Sequence, residues 1–237
     1  MTKILYVTDV HGTVKVYERV FELAKASDVE AIIIGGDITS GVNPSGQAFF
    51  LKFYLVPRLI EFKKTVKKPV FIMMGNDDFE ANFKLLKKAG KLRAAMLLHR
   101  KSYRHKGWTI AGYPYINPTP FLLKDWEKTE EEIYAELKAM SARLDMEKMI
   151  FAFHAPPFGT KLDVLHNGEH KGSEAIRRFI EDSQPALALH GHIHESPAVS
   201  KAMKQKIGRT LCVNPGNAKI ISIDLPSLAL KVIKDEA

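Results

Sequence analysis

Apolar positions along the chain follow two rhythms. KILYVTD (3–9), AIIIGGD (31–37), PVFIMMGN (69–76), KMIFAFHAPP (148–157) and ALALHGH (186–192) are nearly continuous apolar runs of strand length. That pattern predicts strands buried on both faces. Between them the spacing turns helical. Tyr17, Val20, Phe21 and Ala24 recur on one face behind a capping Thr13, and the apolar stretch from Ser45 to Lys64 reads as a helix that Pro57 kinks or divides. Further helices are predicted from beyond Asn76 to about Ala89, over 125–144, and over 173–182 behind Ser173 as cap. WTIAGY (108–113) adds a strand before a proline-rich loop, and TLCVNPG, KIISIDL and LALKVIK read as short strands of a terminal meander. No repeat, low-complexity tract or linker interrupts the order, so one domain over residues 1–237 is expected. Strands and helices in alternation imply a layered α/β fold whose polar motifs sit at the carboxyl ends of strands, where open α/β sheets bind ligands.

Those ends are unusual. Asp9 and His11 follow the first strand, Asp37 the second and Asn76 the third, while His154, then His192 and His194, follow two later ones. One histidine after a strand is commonly a hydrogen-bonded loop residue, but five strand ends in succession call for a shared purpose. Carboxylate, amide and imidazole without thiolate suit borderline divalent metals such as Mn, Fe, Co, Ni or Zn. Seven groups exceed what one ion with an open position takes; they suit two ions sharing a carboxylate. Such ions, about 3.5–4 Å apart, polarise a phosphoryl group and hold a hydroxide nucleophile.

The order D-x-H, GGD, GN-x-D, a lone strand-end His and GH-x-H resembles the calcineurin-like metallophosphoesterases over Asp9 to His194. The resemblance implies a β-sandwich flanked by helices. It also implies one metal on Asp9, His11 and His194, a second on Asn76, His154 and His192, and Asp37 bridging them. Two divalent ions, Mn foremost, are the expected cofactors, and a phosphoester is the expected substrate.

In many members a histidine after the Asn protonates the leaving group; here Asp77 stands there. A carboxylate beside two divalent cations stays ionised and holds no proton to donate. Asp77 is expected instead to cap the following helix, with Glu80 completing a capping-box pair, and the role of Asp78 is left open. No catalytic general acid is assigned. Two cations, two carboxylates and a hydroxide sum to about +1, which matches a diester monoanion. The expected activity is therefore a phosphodiesterase, or a phosphatase for good leaving groups. A nuclease with the same site and a non-enzymatic metal-binding module are the competing readings. Of the remaining histidines, His170, in a loop running into a helix, is the candidate to touch the substrate beside Asn76. His190 is expected to pack inside, and His99 and His105 to lie in a basic surface loop. Tyr113, Tyr115 and Phe121 either stack on a base or simply pack.

Composition adds limits. The 237 residues carry a formal charge of +8, which favours anionic partners without making nucleic acid the preferred one. The single cysteine, Cys212, excludes an internal disulfide or cysteine cluster and reads as a small buried hydrophobe. No targeting pattern opens the chain and no apolar run reaches membrane length, so a cytoplasmic protein off the membrane is expected. The apolar stretch at 48–56 is a candidate homodimer face.

Overall fold

Alternate residues of each buried strand face different partners, and this sets the layers. In the computed structural model, which describes residues 2–40, 43–121 and 125–233, the elements run as follows. They are β1 (Thr2–Val7), α1 (Val14–Leu23), β2 (Val29–Gly35), α2 (Pro44–Phe50), α3 (Val56–Thr65), β3 (Val70–Met73), α4 (Phe83–Lys91), β4 (Met96–Leu97), β5 (Lys101–His105) and β6 (Trp108–Tyr113). There follow α5 (Glu130–Ser141), β7 (Met149–Phe153), α6 (Glu174–Ser183), β8 (Leu187–Leu189), α7 (Ser196–Val199), β9 (Lys204–Ile207), β10 (Thr210–Val213), β11 (Ile221–Leu225) and β12 (Leu230–Val232). They form two six-stranded mixed sheets, ordered β12-β11-β1-β2-β3-β4 and β5-β6-β7-β8-β10-β9. Strands β1 to β4 are parallel, as are β6, β7, β8 and β10. The two sheets flanked by helices are the α/β sandwich expected above.

Ile4, Tyr6, Ile33, Phe71 and Met73 of the first sheet meet Ile110, Ile150, Ala152, Leu187 and Leu189 of the second. The intervening residues Leu5, Val7, Ile32, Ile34 and Ile72 pack against α1, α3 and α4. Phe151, Phe153 and Ala188 pack outward against α5 and α6. Burial on both faces explains the unbroken apolar runs; a strand with one wet face alternates instead. Cys212 lies in the α5–α6 cluster, fully buried, and burial pushes its thiol up to about 12. Only the thiolate reacts, so Ellman's reagent at pH 8 should leave the native protein unlabelled and modify one thiol after unfolding. Rapid labelling of the folded chain would contradict this burial.

Three elements depart from the sequence expectation. Pro57 does not break the long helix but is carried by a π-helical turn over Leu51–Leu55, in which the Val56 amide reaches back to the Leu51 carbonyl. Proline has no amide and its ring crowds the carbonyl four residues earlier, so the wider turn accommodates both. The stretch around HRKSYRHK is not a loop: Lys101–His105 pairs antiparallel with β6. Lys106 and Gly107, both with φ positive (50° and 80°), make its two-residue turn. The late strands are not one meander. Strand β10 lies parallel to β8 and pairs with an unanticipated edge strand, β9, in the second sheet, whereas β11 and β12 extend the first beside β1. Residue 234, the end of the last expected strand, lies outside the described residues.

On the α2–α3 surface Phe49 and Phe53 are exposed, their ring centroids 4.6 Å apart. Among the described residues no helix is long and apolar enough to cross a membrane.

Candidate metal centre

The carboxyl ends of β1, β2 and β3 from one sheet and of β7 and β8 from the other converge on one edge of the sandwich. Backbone hydrogen bonds stitch them together: the Asp9 amide to Gly36 O, His11 to Asp37 O, and Gly191 to His154 O. Asp9, His11, Asp37 and His192 all adopt left-handed backbone conformations, with φ of 52°, 45°, 48° and 64°. Each costs a non-glycine residue roughly 1–3 kcal/mol, and such strain concentrates at functional sites.

Asp37, Asp9 and His154 are fully or almost fully buried and offer ligand atoms within 4.8 Å of one another. His154 donates from Nδ1 to Gly35 O (3.0 Å), while its Nε2 lies 2.9 Å from Asn76 Oδ1 and 3.3 Å from Asp37 Oδ2. Oxygens crowd this nitrogen, and the imidazole responds. Burial would lower its pKa, but the charges of Asp37 and Asp9 outweigh that and lift it to about 9. Burial raises Asp37 as well, yet His154 and His11 beside it hold the carboxyl well below the usual range. Asp9 is pushed up to about 6, by burial first and the Asp37 charge next. Asp9 Oδ1 accepts the His192 amide at 3.0 Å; Oδ2 is buried and has no hydrogen-bond partner.

These features fit divalent cations. A buried unpaired carboxylate oxygen, a second carboxylate held by imidazole and one backbone amide, and amide and imidazole donors around it are a borderline metal's donor set. Space is reserved as well. A Cβ on Gly75 would sit 2.4 Å from Asp37 Oδ1 and 2.5 Å from His154 Nε2, and one on Gly191 2.5 Å from Asp9 Oδ2. Neither position admits a side chain without displacing these groups.

The outer half of the site is more open. His11 lies with Nε2 4.0 Å from Asp37 Oδ2 and Nδ1 4.0 Å from Asp77 Oδ2. Its ring is 6.0 Å from that of His194, and the His154 and His192 rings are 5.5 Å apart. All seven expected ligands therefore lie at one edge, with Asp37 between the His11 and His154 sides.

Asp77 is not the helix cap expected. A short 3-10 turn over Glu80–Asn82 precedes α4, and its capping position is Phe79. Asp77 instead turns into the site: Asn76 Nδ2 donates to its Oδ1 (2.9 Å), and its own amide donates to Asp37 Oδ1 (2.8 Å). Holding the Asn76 amide nitrogen leaves Asn76 Oδ1 facing His154. With His11 and Asp37, Asp77 forms a second group able to hold a cation.

Asp78 is the residue the sequence left open. Fully buried, its carboxylate accepts the amides of Ile38 (3.0 Å), Thr39 (2.8 Å) and Gly75 (2.9 Å) and the Thr39 hydroxyl (2.5 Å). It thus ties the loop after β2 to the loop after β3. Burial and the charge of Asp37 push it up to about 6 despite these donors. Gln47 braces the same loop, donating to Asp77 O and accepting from the Phe79 amide.

A cleft of about 760 Å³ opens over Asp37, Asn76, His192 and His194, with Asn117, Phe121 and Lys171 on its walls. His170 does not line it. Its Nδ1 is tied to Asp163 at 2.8 Å, a buried acid that organises the loop by accepting the Gly159, Thr160 and Gly172 amides. Lys171, one residue on, is the group on the cleft wall. Of the aromatics, Tyr113 is buried on Glu136 and Phe121 is exposed at the cleft. His190 is buried on Ala155 O as expected; His99 is half-buried rather than surface, accepting the Met74 amide at Nε2.

Comparison with known proteins bears on this geometry. The family model for calcineurin-like phosphoesterases matches residues 2–196. No curated protein matches the chain at a significant level. Among solved structures, TT1561 of Thermus thermophilus has a TM-score of 0.71 at 17% identity, covering 98% of both chains. The phosphopantetheinyl hydrolase of Mycobacterium tuberculosis has a TM-score of 0.59 at 12% identity, over 99% of this chain and 96% of that one. At these identities the likeness is one of fold.

Proposed function

The chain belongs to the calcineurin-like phosphoesterases, and from that premise we propose that it hydrolyses phosphodiesters, or esters with good leaving groups, at two divalent ions. Asp9, His11 and His194 would hold the first ion, Asn76, His154 and His192 the second, and Asp37 would be shared between them. The donor set suits Mn, with Fe, Zn, Ni or Co as alternatives. When bound, the ions supply Lewis-acid activation of the phosphorus centre and of the attacking water.

The protein's own groups divide the remaining work. Gly35 O fixes the His154 ring through Nδ1, leaving Nε2 toward Asp37 and Asn76; such a second contact sets tautomer and orientation. Asp77 aligns the Asn76 amide. Asp78 holds the Asp37 and Asn76 loops in register. Lys171 stands on the cleft wall as a cation for the substrate's non-bridging oxygens or second ester group.

The observation that carries the diester preference is the carboxylate of Asp77 at the cleft, next to Asn76 and 4.0 Å from His11. A carboxylate there repels a dianionic monoester and offers no proton to a poor leaving group. The testing experiment compares activated mono- and diesters, and alkyl counterparts, with metal-stripped protein reloaded with Mn. Metal-dependent turnover favouring diesters is expected; equal or faster hydrolysis of alkyl monoesters would overturn the preference. Asp77→His should raise monoesterase turnover by about tenfold or more, since a positioned acid contributes roughly 10²–10⁴-fold. Unchanged monoester rates in a folded, metal-loaded variant would remove Asp77 from the explanation. Self-association through Phe49 and Phe53 belongs to the same proposal, and a sedimentation mass that stays monomeric at high concentration removes it.

A further inference from the structure

Away from the metal centre, α4 and strands β4 and β5 line an open cavity of about 860 Å³. Its wall is mostly apolar, with Phe83, Met96, Leu97 and Tyr103 contributing, and its rim carries Lys87, Lys91, Arg93 and Lys101. None of these four cations forms an ion pair with a carboxylate among the described residues; Lys87 Nζ lies instead over the Phe83 ring, 4.7 Å from its centroid. Four unpaired cations around one concavity repel one another, so the arrangement costs energy that an anion would recover. Solvated lysines on a helix face need no such explanation singly. Here, however, they come from α4, from the turn after it and from β5, and, although each is itself exposed, together they ring one apolar wall.

His99 supplies an independent observation. Its Nε2 accepts the Met74 amide at 3.2 Å, so the neutral ring carries its proton on Nδ1. That Nδ1 is buried and has no partner, leaving an unsatisfied donor in the cavity wall. Burial, followed by the charges of Lys87 and Lys101, lowers the imidazole to about 3. Phe83 packs against the same ring, tilted by 34° with 3.9 Å between centroids.

We propose that this cavity is a second binding site, for an organic phosphate with a planar apolar body, of the size and chemistry of a mononucleotide. The phosphates sit among Lys87, Lys91, Arg93 and Lys101, and the planar part lies against Phe83, Leu97 and Tyr103. The volume falls within the range of small-molecule sites, which combine apolar walls with a few polar anchors. The inference does not rest on the proposed reaction, because the cavity shares no residue with the metal centre. It does stand next to it: His99 holds the Met74 amide, two residues before Asn76.

The test is calorimetric titration of ADP into the full chain in EDTA, with Trp126 fluorescence followed in parallel, since its ring lies 5.2 Å from His99. One site is expected, unaffected by Asp37→Ala and weakened by about tenfold or more in Lys87→Glu/Lys101→Glu, the loss of about 1.4 kcal/mol or more from charged contacts. Both substituted lysines are on the rim, and circular dichroism checks that the double variant folds. Pyrophosphate should bind more weakly than ADP. Absence of ADP binding at millimolar concentration, binding that survives the double variant, or binding lost in Asp37→Ala would each overturn the proposal. So would pyrophosphate binding as tightly as ADP, or binding only to an oligonucleotide, which would make the groove a nucleic-acid surface.

Discussion

Asp37→Ala is expected to lower metal-dependent hydrolysis by about three orders of magnitude or more and to leave the protein unable to retain two ions per chain. The size follows from where the carboxylate stands. Its Oδ2 lies 3.3 Å from His154 Nε2 and 4.0 Å from His11 Nε2, so it is the group common to both sides of the site. Among the described residues it is the one carboxylate that groups with both His11 and His154, and removing it leaves His154 with only Asn76 and Asp9 nearby. Losing a single preorganised electrostatic contact commonly costs 10²–10³-fold in turnover; losing a bridging ligand also removes the ion that makes the nucleophile. Asp37→Asn keeps the shape and the acceptor for the Asp77 amide, so it separates charge from packing. Elemental analysis after gel filtration, with diester hydrolysis on the same samples, measures both effects. Full metal content and near-native rates in a folded Asp37→Ala protein would exclude the bridging role.

Asp78→Ala should be the most damaging substitution for stability, at about 3–5 kcal/mol. The carboxylate accepts three backbone amides and a hydroxyl while fully buried. Truncation leaves the Ile38, Thr39 and Gly75 amides without acceptors in a region water does not reach, and each unsatisfied buried donor costs about 1–3 kcal/mol. The melting temperature should fall by about 10 °C or more, since 1 kcal/mol corresponds to roughly 2–4 °C in a chain of this size. The same loss should weaken metal binding, because the Asp37 and Asn76 loops are no longer fixed to each other. Asp78→Asn keeps acceptors for part of the set and should lie between Ala and the natural residue. Chemical denaturation of metal-free protein gives the comparison. A cost below about 1 kcal/mol for Asp78→Ala would show that the loops are held by something else.

The contrast between Asp77 and Asp78 shows where sequence reading succeeds and where it stops. D-x-x-E at 77–80 and T-x-x-E at 129–132 are the same local pattern. Only the second is a capping box, with Thr129 and Glu132 exchanging hydrogen bonds. At 77 the chain's amide is claimed by Asp37 Oδ1, forty residues away, and a tertiary acceptor outcompetes a local one. No window of sequence contains that information. The seven strand-end residues were legible because each follows a run buried on both faces, and a polar group at the end of such a run has few structural reasons to be there. Strands β5 and β9 were not legible for the opposite reason. KSYRH and KQKI are edge strands rich in basic residues, whose charge blunts open edges and hides the alternation that marks a strand. His170 was singled out for its loop, but Asp163 holds its ring while Lys171 lines the cleft. Which of two neighbours turns inward depends on that buried acid, and nothing local to the loop reveals its burial.

The proposed chemistry requires two ions on seven side chains with Asp37 shared. Anomalous diffraction from crystals of the Mn-loaded protein, collected at the manganese edge, tests it directly. Two peaks flanking Asp37 are expected, one among Asp9, His11 and His194 and one among Asn76, His154 and His192. A single peak at full occupancy, or ions bound elsewhere with this edge empty, would contradict it.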